Sequence, residues 1–191
     1  MKFQSTQIAG VWLIEPERLY DERGYFARTL SQRALADHGL PTDWPESSVA
    51  FNRLKHTLRG MHWQAMADGD TTGEHKLVRC TRGAACDCVV DVRPDSPTFG
   101  HWQFWELSAD NCRTLYIPQS VAHGYLTLTN DCELSYQMSA EYVPELSRGV
   151  RWDDPKLNIA WPAKPQVISL RDRALPFLFD VLSLRPREVV T

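Results

Sequence analysis

Apolar residues along this chain recur mostly at every second position, the period of a half-buried strand. Ile8, Val11, Leu13 and Leu19 alternate loosely and predict strands over 7–20, broken at Pro16. Asp21-Glu22-Arg23-Gly24-Tyr25-Phe26 reads as a charged turn, a glycine and the start of an aromatic strand. Ser31 to His38 is the best helical stretch: Ser31 can cap it, Ala34 and Leu35 favour it, and Gly39 followed by Pro41 ends it. Residues 40–50 are expected to form a polar loop, and from Val49 onward the chain reads as almost wholly β.

In Thr57-Leu58-Arg59-Gly60-Met61-His62-Trp63-Gln64, apolar Leu58, Met61 and Trp63 interleave with polar Arg59, His62 and Gln64. That predicts a buried strand with its polar residues turned toward a cavity. Lys76–Thr81 and Ala85–Arg93 predict two strands joined by a tight turn at Arg82-Gly83. Trp102–Leu107 and Arg113–Ile117 predict two more, and 118–125 a turn into a strand at Leu126–Thr129. Asn130-Asp131 then turns the chain into Cys132–Met138. After Pro144 the chain is irregular, apart from an apolar run over Phe177–Leu184 expected to dock as a short helix. Many short strands with few short helices predict an all-β barrel or jelly roll. Without repeats, low-complexity tracts or linkers, residues 1–191 are expected to form a single domain.

The 191 residues suffice for one domain with a real core. A formal net charge of -3 excludes a broad nucleic-acid surface, so an anionic ligand must be met by a local group of Arg and Lys. The N-terminus lacks an apolar signal region and no run is long enough to span a bilayer, so the expectation is a soluble cytoplasmic protein. Cys80, Cys86, Cys88, Cys112 and Cys132 form no CxxC pair, and their odd number fits reduced thiols. Cys86 and Cys88 are expected on one face of a strand as small core residues.

Candidate chemistry centres on His62 and Arg59. A neutral imidazole facing a dry cavity can act as a general base, and a guanidinium beside it can hold a phosphate. Taken alone, the same spacing also fits a core histidine and a surface arginine.

More specific is an ordered set: Asp21-Glu22-Arg23-Gly24-Tyr25-Phe26, Leu58-Arg59-Gly60-Met61-His62, Lys76-Leu77-Val78-Arg79, Asp95-Ser96-Pro97-Thr98-Phe99-Gly100, Ile117-Pro118 to Ala122-His123-Gly124, Tyr136, and Trp152-Asp153-Asp154-Pro155. In that order these motifs, running from about residue 8 to 175, resemble the dTDP-4-dehydrorhamnose 3,5-epimerase family. The resemblance implies a cupin jelly-roll barrel and a homodimer in which an N-terminal strand contributes to the partner's site. The implied substrate is a nucleoside-diphosphate 4-keto sugar. The implied reaction is proton abstraction from carbon 3 or 5, an enolate, and reprotonation on the opposite face, with no cofactor and no metal. By resemblance His62 is the base, Asp172 its carboxylate partner, Tyr136 the acid across the ring, and Lys76 the cation near the oxyanion. Arg59 and Arg23 match arginines on the diphosphate, and His123 a second pocket histidine. Phe26, Tyr142 and Arg171 complete the substrate-binding set. On the residues alone, Tyr136 could equally pack in a sheet, Lys76 lie at a solvated strand edge, and Asp172 sit in a loop.

Several positions depart from the family pattern. Glu46 and Ser48 stand where many members carry Gln-x-Asn, and Arg28 and Ser147 stand where members carry glutamates. An intact catalytic set with an altered binding set predicts the same chemistry on a different nucleotide sugar, or a reaction restricted to one carbon. Two other readings compete. A metal-dependent cupin needs a His-x-His that is missing here, since Trp63 and Gln64 follow His62. A non-catalytic sugar-nucleotide module would need no acid and base on opposite faces.

Overall fold

The computed structural model describes residues 1–66 and 73–183, the last three by backbone alone. One antiparallel sheet contains β1 (Lys2–Ser5), β2 (Trp12–Glu15), β5 (Glu46–Asn52), β7 (Lys76–Arg82), β10 (Thr114–Ile117) and β12 (Cys132–Met138). Their order is β1-β2-β10-β7-β12-β5. The second sheet holds β6 (Thr57–Gln64), β8 (Ala84–Asp91), β9 (Trp102–Ser108), β11 (Val121–Thr127) and β13 (Ser147–Gly149), in the order β13-β6-β11-β8-β9. β14 (Val167–Ile168) adds to β6 in parallel. β3 (Arg18–Asp21) and β4 (Gly24–Ala27) form a separate hairpin. The helices α1 (Gln32–Ala36), α2 (Leu170–Arg173) and α3 (Leu178–Ser183) lie at the periphery.

The two sheets close over one core because alternate residues of facing strands meet. Val78, Cys80, Leu115, Ile117 and Leu134 of the first sheet pack with Ala85, Val89, Leu107, Val121 and Tyr125 of the second. The outer faces are covered as well. Leu35 of α1 packs on Ile14, Leu77 and Tyr116, while Val150, Leu157, Ile159 and Leu178 cover Cys88, Val90 and Ala122. This is a jelly roll, as the strand spacing predicts, in the cupin form that the family resemblance implies. Cys86 and Cys88 are both buried, two residues apart on β8, and all five cysteines are free thiols. No helix among the described residues is long and apolar enough to cross a membrane.

Three sequence expectations need correction. The polar loop expected over 40–50 ends early, because β5 begins at Glu46. β5 is an edge strand whose Ser47, Val49 and Phe51 face outward, so its polar composition conceals it. The turn expected over 118–125 gives way at Val121 to β11, all seven residues of which are buried. A strand covered on both faces carries no alternation to read. Third, Gln64 does not face the cavity. Its amide donates to the Glu141 carbonyl at 2.9 Å and accepts from the Val143 amide at 2.8 Å, pinning that loop. The run predicted over Phe177–Leu184 is helical over Leu178–Ser183, and Leu184 lies outside the described residues.

Two of the recurring motifs prove structural. The buried Asp91 carboxylate accepts from Arg93 Nε at 2.9 Å, Ser96 Oγ at 2.5 Å and Thr98 Oγ1 at 2.6 Å, which folds the 95–100 loop. Buried Asp154 accepts from the Lys156 and Leu178 amides at 2.8 and 2.7 Å and ties α3 to the barrel.

Candidate active site

Between the sheets opens a cavity of about 590 Å³, lined by Arg59, His62, Lys76, His123, Tyr125, Tyr136, Arg171 and Asp172 among others. That volume suits a small-molecule ligand. Arg59 and His62 are three residues apart and in a regular strand would point to opposite faces. The β6–β11 register removes the conflict. His62 stands opposite His123 and Arg59 opposite Tyr125, so three steps on β6 match two on β11. The extra residue is a bulge that re-aims one of the two side chains. Gly60 and Gly124 make it possible. A Cβ on Gly60 would lie 2.6 Å from Gly124 Cα, and one on Gly124 would lie 2.6 Å from Met61 Sδ; Gly60 also has a φ of +137°.

His62 Nε2 lies 2.7 Å from Asp172 Oδ1. β14 runs parallel to β6, with Ile168 beside Leu58, and so delivers α2 to the back of His62. Ser169 caps α2 by accepting from the Asp172 amide at 3.0 Å. Asp172 Oδ2 accepts from the Gly60 amide at 3.3 Å. Burial raises the Asp172 pKa, but the His62 hydrogen bond, with the Gly60 amide and Ser169, outweighs it and leaves the carboxyl below its usual value. An ionised carboxylate only accepts, so Nε2 carries the hydrogen and Nδ1 has the free lone pair.

Tyr136 projects from β12 on the facing sheet. Burial pushes its phenol well above the usual range, and the Arg59 charge opposes that rise. His123 is 5.9 Å from Tyr136 between ring centroids, and its Nε2 lies 2.9 Å from Asp87 Oδ2. Asp87 is wholly buried; burial raises its pKa and His123 pulls it back. Arg59 donates from Nε to Asn52 Oδ1 at 2.9 Å, and Arg171 donates from Nη2 to Ser147 Oγ at 2.7 Å. Among the described residues no group of three or more His, Cys, Asp or Glu converges as a metal site. A larger depression of about 850 Å³ lies away from this cavity, and its Arg113 pairs with Glu15 at 2.8 Å within its own wall.

Lys76 opens β7 and contacts the Glu74 carboxylate through Nζ. Burial pulls its ammonium down to about 7, whereas the adjacent Glu74 charge favours the protonated form. Because a lysine loses its charge as pH rises through its pKa, Glu74→Gln is expected to shift the alkaline limb of kcat to lower pH. A kcat–pH profile checks this, and an unmoved limb would show that Lys76 does not sense Glu74.

Seven of the ten residues singled out from sequence thus meet in one cavity: His62, Asp172, Tyr136, Lys76, Arg59, His123 and Arg171. Three do not. Arg23 and Phe26 lie on the exposed β3–β4 hairpin, and Tyr142 is 58% exposed on the loop pinned by Gln64. Sequence reasoning passed over Asp87, Asn52, Tyr125 and Glu74. A charge inside the apolar run Ala85–Val90 was the available signal for Asp87; nothing comparable marked the other three. Of the departures, Glu46 and Ser48 share the β5 face of the cavity-lining Ala50 by alternation. Arg28 lines a separate small cavity with Phe26, and Ser147 acts through Arg171.

A jelly roll of the cupin class, with a histidine on one sheet backed by a carboxylate from α2 and a buried tyrosine on the other sheet, defines a protein equipped for proton transfer across a cavity. The profile of the dTDP-4-dehydrorhamnose 3,5-epimerase family matches residues 5–180. A dTDP-4-dehydrorhamnose 3,5-epimerase of Sinorhizobium fredii is 41% identical over 186 residues, covering 95% of this chain and 91% of the relative. The solved rmlC epimerase of Mycobacterium tuberculosis superposes with a TM-score of 0.88 at 33% identity, covering 96% and 91%. ChmJ, a 3'-monoepimerase of Streptomyces bikiniensis solved with dTDP-quinovose, gives 0.84 at 32%, covering 94% and 90%. The chain belongs to the dTDP-4-dehydrorhamnose 3,5-epimerase family and is an epimerase of the isomerase class.

Proposed function

We propose that this epimerase acts on a nucleoside-diphosphate-linked 4-keto-6-deoxyhexose and inverts carbon 3, carbon 5 or both. The observation that carries the reading is the placement of His62–Asp172 and Tyr136 on facing sheets across one cavity. His62 Nδ1 takes the proton from the carbon beside the ketone. The electron pair moves onto the carbonyl oxygen, where the Lys76 ammonium stabilises the enolate. Tyr136 gives its proton to the same carbon from the other side, and the ketone reforms. Arg59 and Arg171, at the cavity wall, meet the diphosphate.

NMR in deuterated water with dTDP-, GDP-, CDP- and UDP-linked 4-keto sugars tests the reading. Deuterium should enter carbon 3 or 5 of at least one of them; no exchange in any sugar nucleotide that binds would point to a non-catalytic module. Glu46, half-buried and four residues along β5 from the cavity-lining Ala50, offers a carboxylate, which only accepts hydrogen bonds, where many members offer an amide. A sugar nucleotide that reaches this carboxylate and buries it without a donor loses about 1–3 kcal/mol, where about 1.4 kcal/mol is tenfold. The dTDP-linked 4-keto-6-deoxyglucose is therefore expected to be turned over poorly. A kcat/KM for it within about 10⁴–10⁸ M⁻¹s⁻¹ would show that Glu46 is tolerated.

The reading includes a homodimer working in the cytoplasm. The β3–β4 hairpin exposes Leu19 (61%), Tyr20 (70%) and Phe26 (66%), an apolar surface that suits burial against a second copy. Arg23 at its tip is then placed to reach the other subunit's diphosphate. Arg23→Ala should raise KM with kcat little changed, and equilibrium sedimentation should give a dimer. A stable, fully active monomer would sink this part.

A further inference from the structure

Arg59 stands exposed on β6 at the cavity wall, yet it is anchored to a side chain that solvent hardly reaches. Its Nε donates to Asn52 Oδ1 at 2.9 Å and its Nη2 to the Phe51 carbonyl at 3.3 Å. Asn52 ends β5 and is 3% exposed. Its amide can be oriented from its neighbours, because Nδ2 faces the Ala50 and Cys132 carbonyls, each at 3.2 Å. Since a guanidinium only donates and carbonyls only accept, the amide cannot be flipped. The Tyr125 oxygen lies 3.1 Å from Nδ2 and 3.2 Å from Oδ1. With both Nδ2 hydrogens committed to the two carbonyls, the Tyr125 hydroxyl donates to Oδ1. Oδ1 thus receives Arg59 and Tyr125, and the buried amide is satisfied on both atoms. These bonds leave both Nη1 hydrogens of Arg59 for a ligand.

We infer that Asn52 is a positioning residue for ligand binding, whose buried amide holds the Arg59 guanidinium at the cavity without neutralising it. The inference rests on the reading that Arg59 meets the diphosphate. Charge separates this anchor from others in the molecule. Arg93, Arg113 and Arg151, none of which lines the cavity, are held by the carboxylates of Asp91, Glu15 and Asp153. A carboxylate fixes a guanidinium and offsets its charge at the same time, so a phosphate must compete with it. An amide oxygen and a backbone carbonyl fix it and leave the charge to the ligand. The cavity's other arginine follows the same rule, since Arg171 donates to the neutral Ser147 hydroxyl at 2.7 Å. Order matters as well as charge. A long arginine side chain that is free in solvent loses rotamer freedom when a ligand fixes it, and that loss weakens binding. Here Nε and Nη2 are fixed before the ligand arrives. An asparagine serving only to tie the end of β5 to Cys132 of β12 would need Nδ2 alone; Oδ1 is the atom turned to Arg59.

The test is Asn52→Leu, which keeps the branched shape and removes Oδ1, assayed with whichever 4-keto sugar nucleotide the intact enzyme turns over. KM should rise about tenfold, the scale of one hydrogen bond to a charged group. The turnover number kcat should change little, because the groups at the reacting carbon are untouched. An asparagine that only supports the end of β5 would lower the thermal midpoint and leave KM alone. An unmoved KM, or a fall in kcat as large as the rise in KM, overturns the inference. Should Asn52→Leu fail to fold, the intact protein is used instead. Nitrogen-15 NMR of its arginine side chains, with the Arg59 Nε signal assigned by its loss in Arg59→Gln, reads the anchor directly. In the ligand-free protein the Arg59 Nε–H should exchange with water about tenfold or more slowly than in free arginine. Exchange at the free-arginine rate overturns the inference. Kinetics of Arg59→Gln separate the two claims. If it raises KM while Asn52→Leu does not, the inference alone fails; if it leaves KM normal, the diphosphate assignment of Arg59 fails with it.

Discussion

His62→Asn is expected to abolish deuterium exchange at both carbon 3 and carbon 5 while leaving the barrel folded. His62, the cavity histidine that Asp172 holds at Nε2 at 2.7 Å, keeps 36% of its side chain accessible, against 6% for His123. The other, His123, has Nε2 on the buried Asp87 carboxylate and faces His62 across the β6–β11 pairing. Removing a general base typically lowers the rate by about 10²–10⁴-fold. The fold should survive because Asp172 keeps the Gly60 and Ser169 contacts and α2 keeps its cap. Exchange is followed by NMR and folding by circular dichroism. A folded variant with near-normal exchange would remove His62 from the role of base and move attention to His123.

Tyr136→Phe is expected to part the two proton transfers. Phenylalanine keeps the ring packed against the core and the edge-on contact with His123, so the cavity should hold its shape. What is lost is the hydroxyl on the sheet opposite His62. Abstraction and return by His62 can continue on one face, so exchange with retention should persist, while inversion falls by about 10²–10⁴-fold. Time courses that quantify deuterated starting sugar against inverted product decide the matter. Inversion at the normal rate would assign the acid to another residue or to water.

The strand content of this protein was readable because most strands have one polar and one apolar face. β7, β9 and β12 appear within a residue or two of their expected positions. The helix at Gln32–Ala36 has the Ser31 cap, and Gly39 just beyond it has a positive φ. Where that contrast is missing, continuous apolar runs such as β8 and β10 still read as strands, but β11, whose buried run is broken by His123 and Gly124, and β5, a mostly polar edge, did not. Motif order likewise led to the family and to seven residues of the site, since each motif keeps a residue type that the chemistry or a tight backbone approach requires.

The meeting of those residues could not be read from local pattern. His62 and Asp172 are 110 positions apart and touch only because β14 runs parallel to β6 and docks α2 behind it. Arg59 and His62 share a cavity through a bulge that strand alternation forbids, made possible by the contact of Gly60 with Gly124. Asp87 behind His123 and Asn52 behind Tyr125 are buried polar groups whose partners come from other strands. Sequence alone determined most of the strands and turns, because these depend on neighbours along the chain, while the order of motifs nominated the candidate site residues. The tertiary structure decided which nitrogen of His62 is free and which arginines reach the cavity. Each of these is set by hydrogen bonds between strands far apart in the chain, and a period of two residues carries no information about them.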